Sequence, residues 1–132
     1  ISELETAFAQ SERELGPWEA AVRSGRLATL RGHALSEDDR QRQWVIAEIM
    51  CHGQVSAPAF AARFDAAFAT RFAAERAALE PLAEEGLVEL DGDGGLRLTA
   101  LGHLAVRPVA MVFDAYLGGQ RSGERPLFSQ TV

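Results

Sequence analysis

The sequence predicts a mainly α fold: a helical bundle with a winged-helix-like unit and one two-stranded β-hairpin. Three observations carry this. Nearly half the residues are apolar and alanine is used heavily, and alanine gives up no side-chain entropy in a helix. Apolar residues recur at threes and fours along much of the chain, the spacing of one helical face. Finally, Leu79 to Tyr116 reads as helix, hairpin, helix: apolar runs Leu87–Leu90 and Leu96–Leu98 flank the turn Asp91-Gly92-Asp93-Gly94-Gly95.

The elements follow in order. Residues 3–24 read as helical from Leu4, Phe8, Leu15, Trp18 and Val22, with Gly16-Pro17 breaking or kinking the run. Residues 25–35 carry two glycines and no period, and read as an extended connection. Ser36 with Asp39 is an N-cap signal ahead of a helix to about Cys51 that buries Trp44, Val45, Ile49 and Met50. Ser56 caps a short helix over 57–64, with Pro58 tolerated in its first turn. Asp65 is read as the cap of a helix over 66–84, with Phe68, Phe72, Leu79 and Leu82 inward and Arg71, Glu75, Arg76 and Glu80 in water. Pro81 tightens its last turn. After the hairpin, a helix from 100 to about 117 turns Leu101, Leu104, Val109, Val112, Phe113 and Tyr116 inward. Residues 118–132 form a Gly- and Arg-rich tail with Pro126-Leu127-Phe128 as a terminal anchor.

At 132 residues the chain fits one domain, divided as an N-terminal helical and extended connection over 1–35, a winged-helix-like core over 36–117 and a tail over 118–132. It begins at Ile1 and reads as a piece of a longer protein. No apolar run approaches the ~20 residues of a membrane span. The single cysteine, Cys51, excludes an internal disulfide, fits a reducing cytoplasm, and is expected in the core.

Composition and spacing also exclude function classes. A net charge of −6 argues against nucleic acid, whose affinity rests on Lys and Arg neutralising phosphates. A recognition helix over 66–84 would set Arg63, Arg71 and Arg76 against Asp65, Glu75, Glu80, Glu84 and Glu85, a balance suited to protein contacts rather than DNA. A calcium loop starting at Asp91 would need Gly at position six and Glu at twelve; Leu96 and Gly102 stand there. His33, Cys51, His52 and His103 lack the paired close spacings of a zinc or iron–sulfur site, and His103 is expected at the surface or packed. Nothing around Cys51 supplies an oxyanion hole, so the chain carries no catalytic constellation of its own.

An ordered set of residues resembles the C-terminal domain of bacterial oxygen-independent coproporphyrinogen III oxidase (coproporphyrinogen dehydrogenase), a radical S-adenosylmethionine family. The set includes Ile1-Ser2, Ala9-Gln10, Arg31-Gly32 with Ala34-Leu35, Asp38-Asp39, Met50-Cys51, Pro81-Leu82-Ala83, Gly86-Leu87-Val88, Leu98-Thr99, Gly102, Arg107, Met111 to Asp114, Tyr116-Leu117 and Phe128-Ser129. The resemblance implies a partner within the parent chain: an N-terminal barrel whose CxxxCxxC-bound [4Fe–4S] cluster cleaves S-adenosylmethionine. The resemblance further implies that the resulting radical oxidatively decarboxylates two propionates of coproporphyrinogen III, giving protoporphyrinogen IX for haem synthesis. None of those cluster cysteines is in this sequence, so the chain is expected to bind no cofactor or metal of its own and to cover the substrate. Ile1 matches a family isoleucine that contacts S-adenosylmethionine. Arg31, His33 and Arg107 are candidates for propionate contacts, because a tetra-acid favours guanidinium partners.

His52-Gly53-Gln54 stands where the family carries Asn and an aromatic, Pro108 where it carries Asn, and Gln130 where Arg is common. A haem-chaperone branch shares the barrel without the oxidase activity. The stretch Arg31 to Asp39 and the long tail resemble the oxidase branch. The alternatives are that branch and a winged-helix module binding DNA or protein.

Overall fold

The computed structural model describes residues 2–4 and 6–117. Contacts divide the chain between Gln41 and Arg42 into two compact units, whereas the sequence set its own division at 35/36. The boundary falls inside one helix, α2 (Glu37–His52).

The first unit corrects the reading of 3–24 as a helix. Strands β1 (Ser2–Leu4) and β2 (Ala7–Ser11) precede α1 (Leu15–Arg23), and β3 (Thr29–Ala34) closes an antiparallel sheet in the order β1-β2-β3. Leu4 and Phe8 have the spacing of one helical face, but a turn puts them on separate strands, and with Leu4 opposite Ala7 and Glu3 opposite Phe8 they lie on opposite faces of the sheet. What decides for strands is pairing with 29–34, which local periodicity cannot reveal. Pro17 falls in the first turn of α1, where its missing N–H leaves no bond unmade. Leu15, Trp18 and Val22 are exposed rather than inward. The expected cap at the start of α2 is present: Ser36 Oγ accepts from Asp39 N at 3.1 Å, and Asp39 Oδ2 accepts from Ser36 N at 2.9 Å.

The second unit holds the main core. Beyond α2 it comprises β4 (Gln54–Val55), α3 (Ala57–Phe64), α4 (Phe68–Arg71), α5 (Ala73–Glu84), β5 (Val88–Leu90), β6 (Leu96–Leu98), α6 (Ala100–Leu104) and α7 (Val106–Met111). The hairpin β5–β6 forms as expected, and β4 adds a third strand against β6. Val55, Val88, Leu90, Leu96 and Leu98 share the face toward the core, while Gln54, Glu89 and Arg97 line the other.

Two long helices of the sequence reading are broken in two. Asp65 does not cap a helix beginning at 66; it adopts φ 51° and ends α3, a conformation that Asp tolerates better than most residues. The chain breaks again at Phe72 (φ −115°, ψ 35°), where Phe68 and Phe72 both bury fully with their rings 5.3 Å apart. The helix expected over 100–117 breaks at Ala105. Pro108 explains this, since in a continuous helix its ring would meet the carbonyl of Leu104; starting α7 at Val106 puts Pro108 in a first turn instead.

The break also turns α6 around. Leu101 and Leu104, expected inward, are exposed, and Gly102 makes the buried contact. A Cβ on Gly102 would lie 1.9 Å from Leu87 O, so the helix reaches the hairpin only because no side chain intervenes. Thr99 fixes the approach. Its Oγ1 accepts from Gly102 N at 3.0 Å and donates to Gly86 O at 2.6 Å. Tyr116, likewise expected inward, is exposed. So is Cys51, expected in the core: the buried face of α2 carries Val45 and Ile49, and Cys51 lies about 200° further round at 100° per residue.

An aromatic cluster fills the centre. Phe60 is fully buried with its ring 4.9–5.8 Å from those of Trp44, Phe64, Phe68 and Phe72, and Phe113 packs on Phe72 at 5.4 Å. At its edge Arg42 pairs with Glu75 at 2.8 Å, donates to Phe113 O at 3.1 Å and covers the Phe72 ring. Glu75 is therefore largely withdrawn from the water in which the sequence reading placed it.

Arg76 is also drawn in. Its Nη1 donates to Gly94 O and, at 2.9 Å, to Gly95 O, fastening the hairpin tip from behind. Gly94 (φ +99°) sits so close to Ala69 that a Cβ would come within 2.8 Å of that methyl. Arg76→Ala is expected to destabilise the unit by about 1.5 kcal/mol, as hydrogen bonds from a charged donor are lost. Faster amide exchange at Asp91, Gly94 and Gly95 is the measurement; unchanged exchange there would contradict the clamp.

Candidate functional site

Two surfaces bear the candidate residues, one in each unit. In the first unit, antiparallel register sets Phe8 opposite His33 and Gln10 opposite Arg31. Opposed residues share a face and alternate residues return to it, so these four side chains lie together. Ala7, Ala9, Gly32 and Ala34 occupy the reverse face. Arg31 Nε donates to Gln10 Oε1 at 2.7 Å. His33 Nε2 lies 3.9 Å from Asp39 Oδ2, an ion pair when the imidazole is protonated. Phe8, Ala9, Gln10, Arg31, Gly32 and His33 line a hollow of about 370 Å³.

The structure thus brings Arg31 and His33 together, as a guanidinium and an imidazole on one strand separated by a glycine. Sequence reasoning missed Gln10 and Phe8 as their neighbours. The alternation Ala7-Phe8-Ala9-Gln10 was the available signal, hidden because the segment was read as helical.

In the second unit, Arg107 stands exposed on α7 and lines a groove of about 390 Å³ with Ile46, Met50, Ala110, Met111, Asp114 and Leu117. The lining is mainly apolar, with Arg107 the cation and Asp114 the acid. Asp114 Oδ1 accepts from Tyr116 N at 2.9 Å and so shapes the chain after α7. Met50, expected in the core, is half-exposed at this groove. Ile1 lies outside the described residues.

The arginines weighed for nucleic acid are occupied within the unit. Arg76 holds the hairpin tip, while Arg71 and Arg63 lie over the rings of Phe72 and Phe64 at 4.7 and 5.6 Å. Among the described residues, no three His, Cys, Asp or Glu side chains gather in a way that could hold a metal ion. His103 is exposed at the surface, its ring against Gly53. Among the same residues, no helix is long and apolar enough to cross a membrane.

Residues 35–104 match the family described as HemN C-terminal domain. Oxygen-independent coproporphyrinogen III oxidase of Synechocystis sp. is 35% identical over 136 residues, covering all of this chain and 28% of that protein. The protein of the same name from Escherichia coli is 36% identical over 117 residues, 89% of this chain and 25% of that protein. A solved structure described as coproporphyrinogen III oxidase (HemN) from Escherichia coli, a radical SAM enzyme, superposes with a TM-score of 0.78 at 35% identity. It covers 84% of this chain and 25% of that one. The chain spans about a quarter of the length of these relatives.

Proposed function

Because the chain belongs to the HemN C-terminal domain family, we propose that it is the substrate-covering domain of an oxygen-independent coproporphyrinogen III oxidase. That parent is a cytoplasmic enzyme of porphyrin synthesis that oxidatively decarboxylates two propionates of coproporphyrinogen III to the vinyl groups of protoporphyrinogen IX, each with loss of CO2 and of two electrons to an acceptor. The observation that carries the reading is the alignment of the whole chain with proteins of that name. The cluster and S-adenosylmethionine would supply radical chemistry from the preceding barrel, which is this domain's partner. Nothing on this chain needs to take part in bond breaking.

Its own residues would bind and enclose. Arg31 and His33, side by side on one sheet face, offer a guanidinium and an imidazole N–H to the carboxylates of a tetra-acid. Arg107, set in an apolar groove, suits a propionate whose stem and ring edge are apolar. Ile1 would meet S-adenosylmethionine across the junction with the barrel.

In the reconstituted full-length parent, assayed anaerobically with reductant, S-adenosylmethionine and an electron acceptor, Arg31→Ala and Arg107→Ala are each expected to raise KM for coproporphyrinogen III about tenfold, with kcat little changed. Lysine should restore little at either position, because an ammonium cannot fork to a carboxylate. A wild-type parent that binds its cofactors yet yields no protoporphyrinogen IX would overturn the oxidase reading in favour of a haem-trafficking relative.

A further inference from the structure

The sheet face that carries Arg31 contains a polar group that the function above leaves unused. Gln10 stands opposite Arg31 and accepts from its Nε, the one hydrogen bond or ion pair of that guanidinium among the described residues. A guanidinium has five N–H donors in a planar fork, and holding Nε leaves the two terminal nitrogens as an end-on pair. That pair matches the two oxygens of a carboxylate.

The amide at position 10 is chemically apt. A carboxylate there could hold the same nitrogen, but its charge would cancel the one an anionic ligand needs. The amide carbonyl fixes Arg31 and leaves the full positive charge, while the amide NH2 adds a donor on the same face. Two acids that register and contact place on this face, Glu3 opposite Phe8 and Asp39 beside His33, both lie at its His33 end.

We infer that Gln10 positions the Arg31 guanidinium for end-on recognition of a ligand carboxylate and gives its own amide N–H to that carboxylate. The inference rests on the reading that Arg31 meets a substrate propionate.

Gln10→Ala and Gln10→Glu in the full-length parent test it, with Arg31→Ala alongside and thermal unfolding as the check on folding. Gln10→Ala should raise KM for coproporphyrinogen III about threefold with kcat within about twofold of wild type, as one positioning contact and one donor are lost. Gln10→Glu should raise KM more, about thirtyfold, although it is isosteric and keeps an acceptor for Nε, because it sets a negative charge beside the incoming one. A merely structural tie gives the opposite order, since Glu would hold Arg31 at least as well as Gln does. Gln10→Glu no worse than Gln10→Ala overturns the inference. Arg31→Ala raising KM while both Gln10 variants match wild type overturns it alone and leaves the propionate reading standing. An Arg31→Ala variant with unchanged KM overturns both.

Discussion

Phe60→Ala is expected to lower the stability of the second unit by about 4 kcal/mol, the range for removing a large ring from a filled core. Phe60 is fully buried and touches Trp44 of α2, Phe64 of α3, Phe68 of α4 and Phe72 at the α4–α5 break, so no single element can move to refill the space. The loss combines transfer of the ring, the cavity left behind and four aromatic contacts worth up to about 1 kcal/mol each. Thermal unfolding followed by circular dichroism should show a fall of more than 10 °C in Tm. Phe64→Ala should do less, because Phe64 is only part-buried. Equal shifts for the two variants would mean that the cluster is looser than the ring distances indicate.

Gly102→Ala should be nearly as damaging, at about 3 kcal/mol, for the opposite reason: one methyl too many. The added Cβ would overlap Leu87 O, a backbone atom that cannot swing aside as a side chain can. Relief requires α6 to lift from the hairpin. That would stretch the bond from Thr99 N to Leu87 O, now 3.1 Å, and the contacts of the Thr99 hydroxyl with Gly86 and Gly102. Gly92→Ala is the control, with nothing within 4 Å of its Cβ position. Chemical denaturation of both variants decides the matter; a Gly102→Ala midpoint equal to that of Gly92→Ala would refute the close-packing account.

The fate of the sequence reading follows from the range of the forces involved. Signals contained within a few residues survived: the Ser36–Asp39 and Ser56 caps, and the Asp-Gly-rich turn between two apolar runs. Signals that depend on distant partners did not. Strand β2 is held by residues 29–34 and carries β1 on its other edge, and β4 exists because of Leu96 and Arg97. The breaks at Phe72 and Ala105 come from packing and from Pro108, which acts backwards on the preceding turn. The site was half visible for the same reason. Arg31, His33 and Arg107 could be picked out by charge type, but the pairing of Gln10 with Arg31 needs a register across 21 residues.

The fastened hairpin tip has a consequence for how this chain can drift over generations. Ala69 and Arg76 are distant in sequence from the Gly94-Gly95 pair yet bound to it: a side chain at 94 would strike the Ala69 methyl, and a residue without a donor at 76 would release the two carbonyls. The four positions are therefore coupled through contact. A substitution at one removes or crowds a contact of another, so the tip, usually the part of a hairpin most tolerant of change, is tied to the helices behind it.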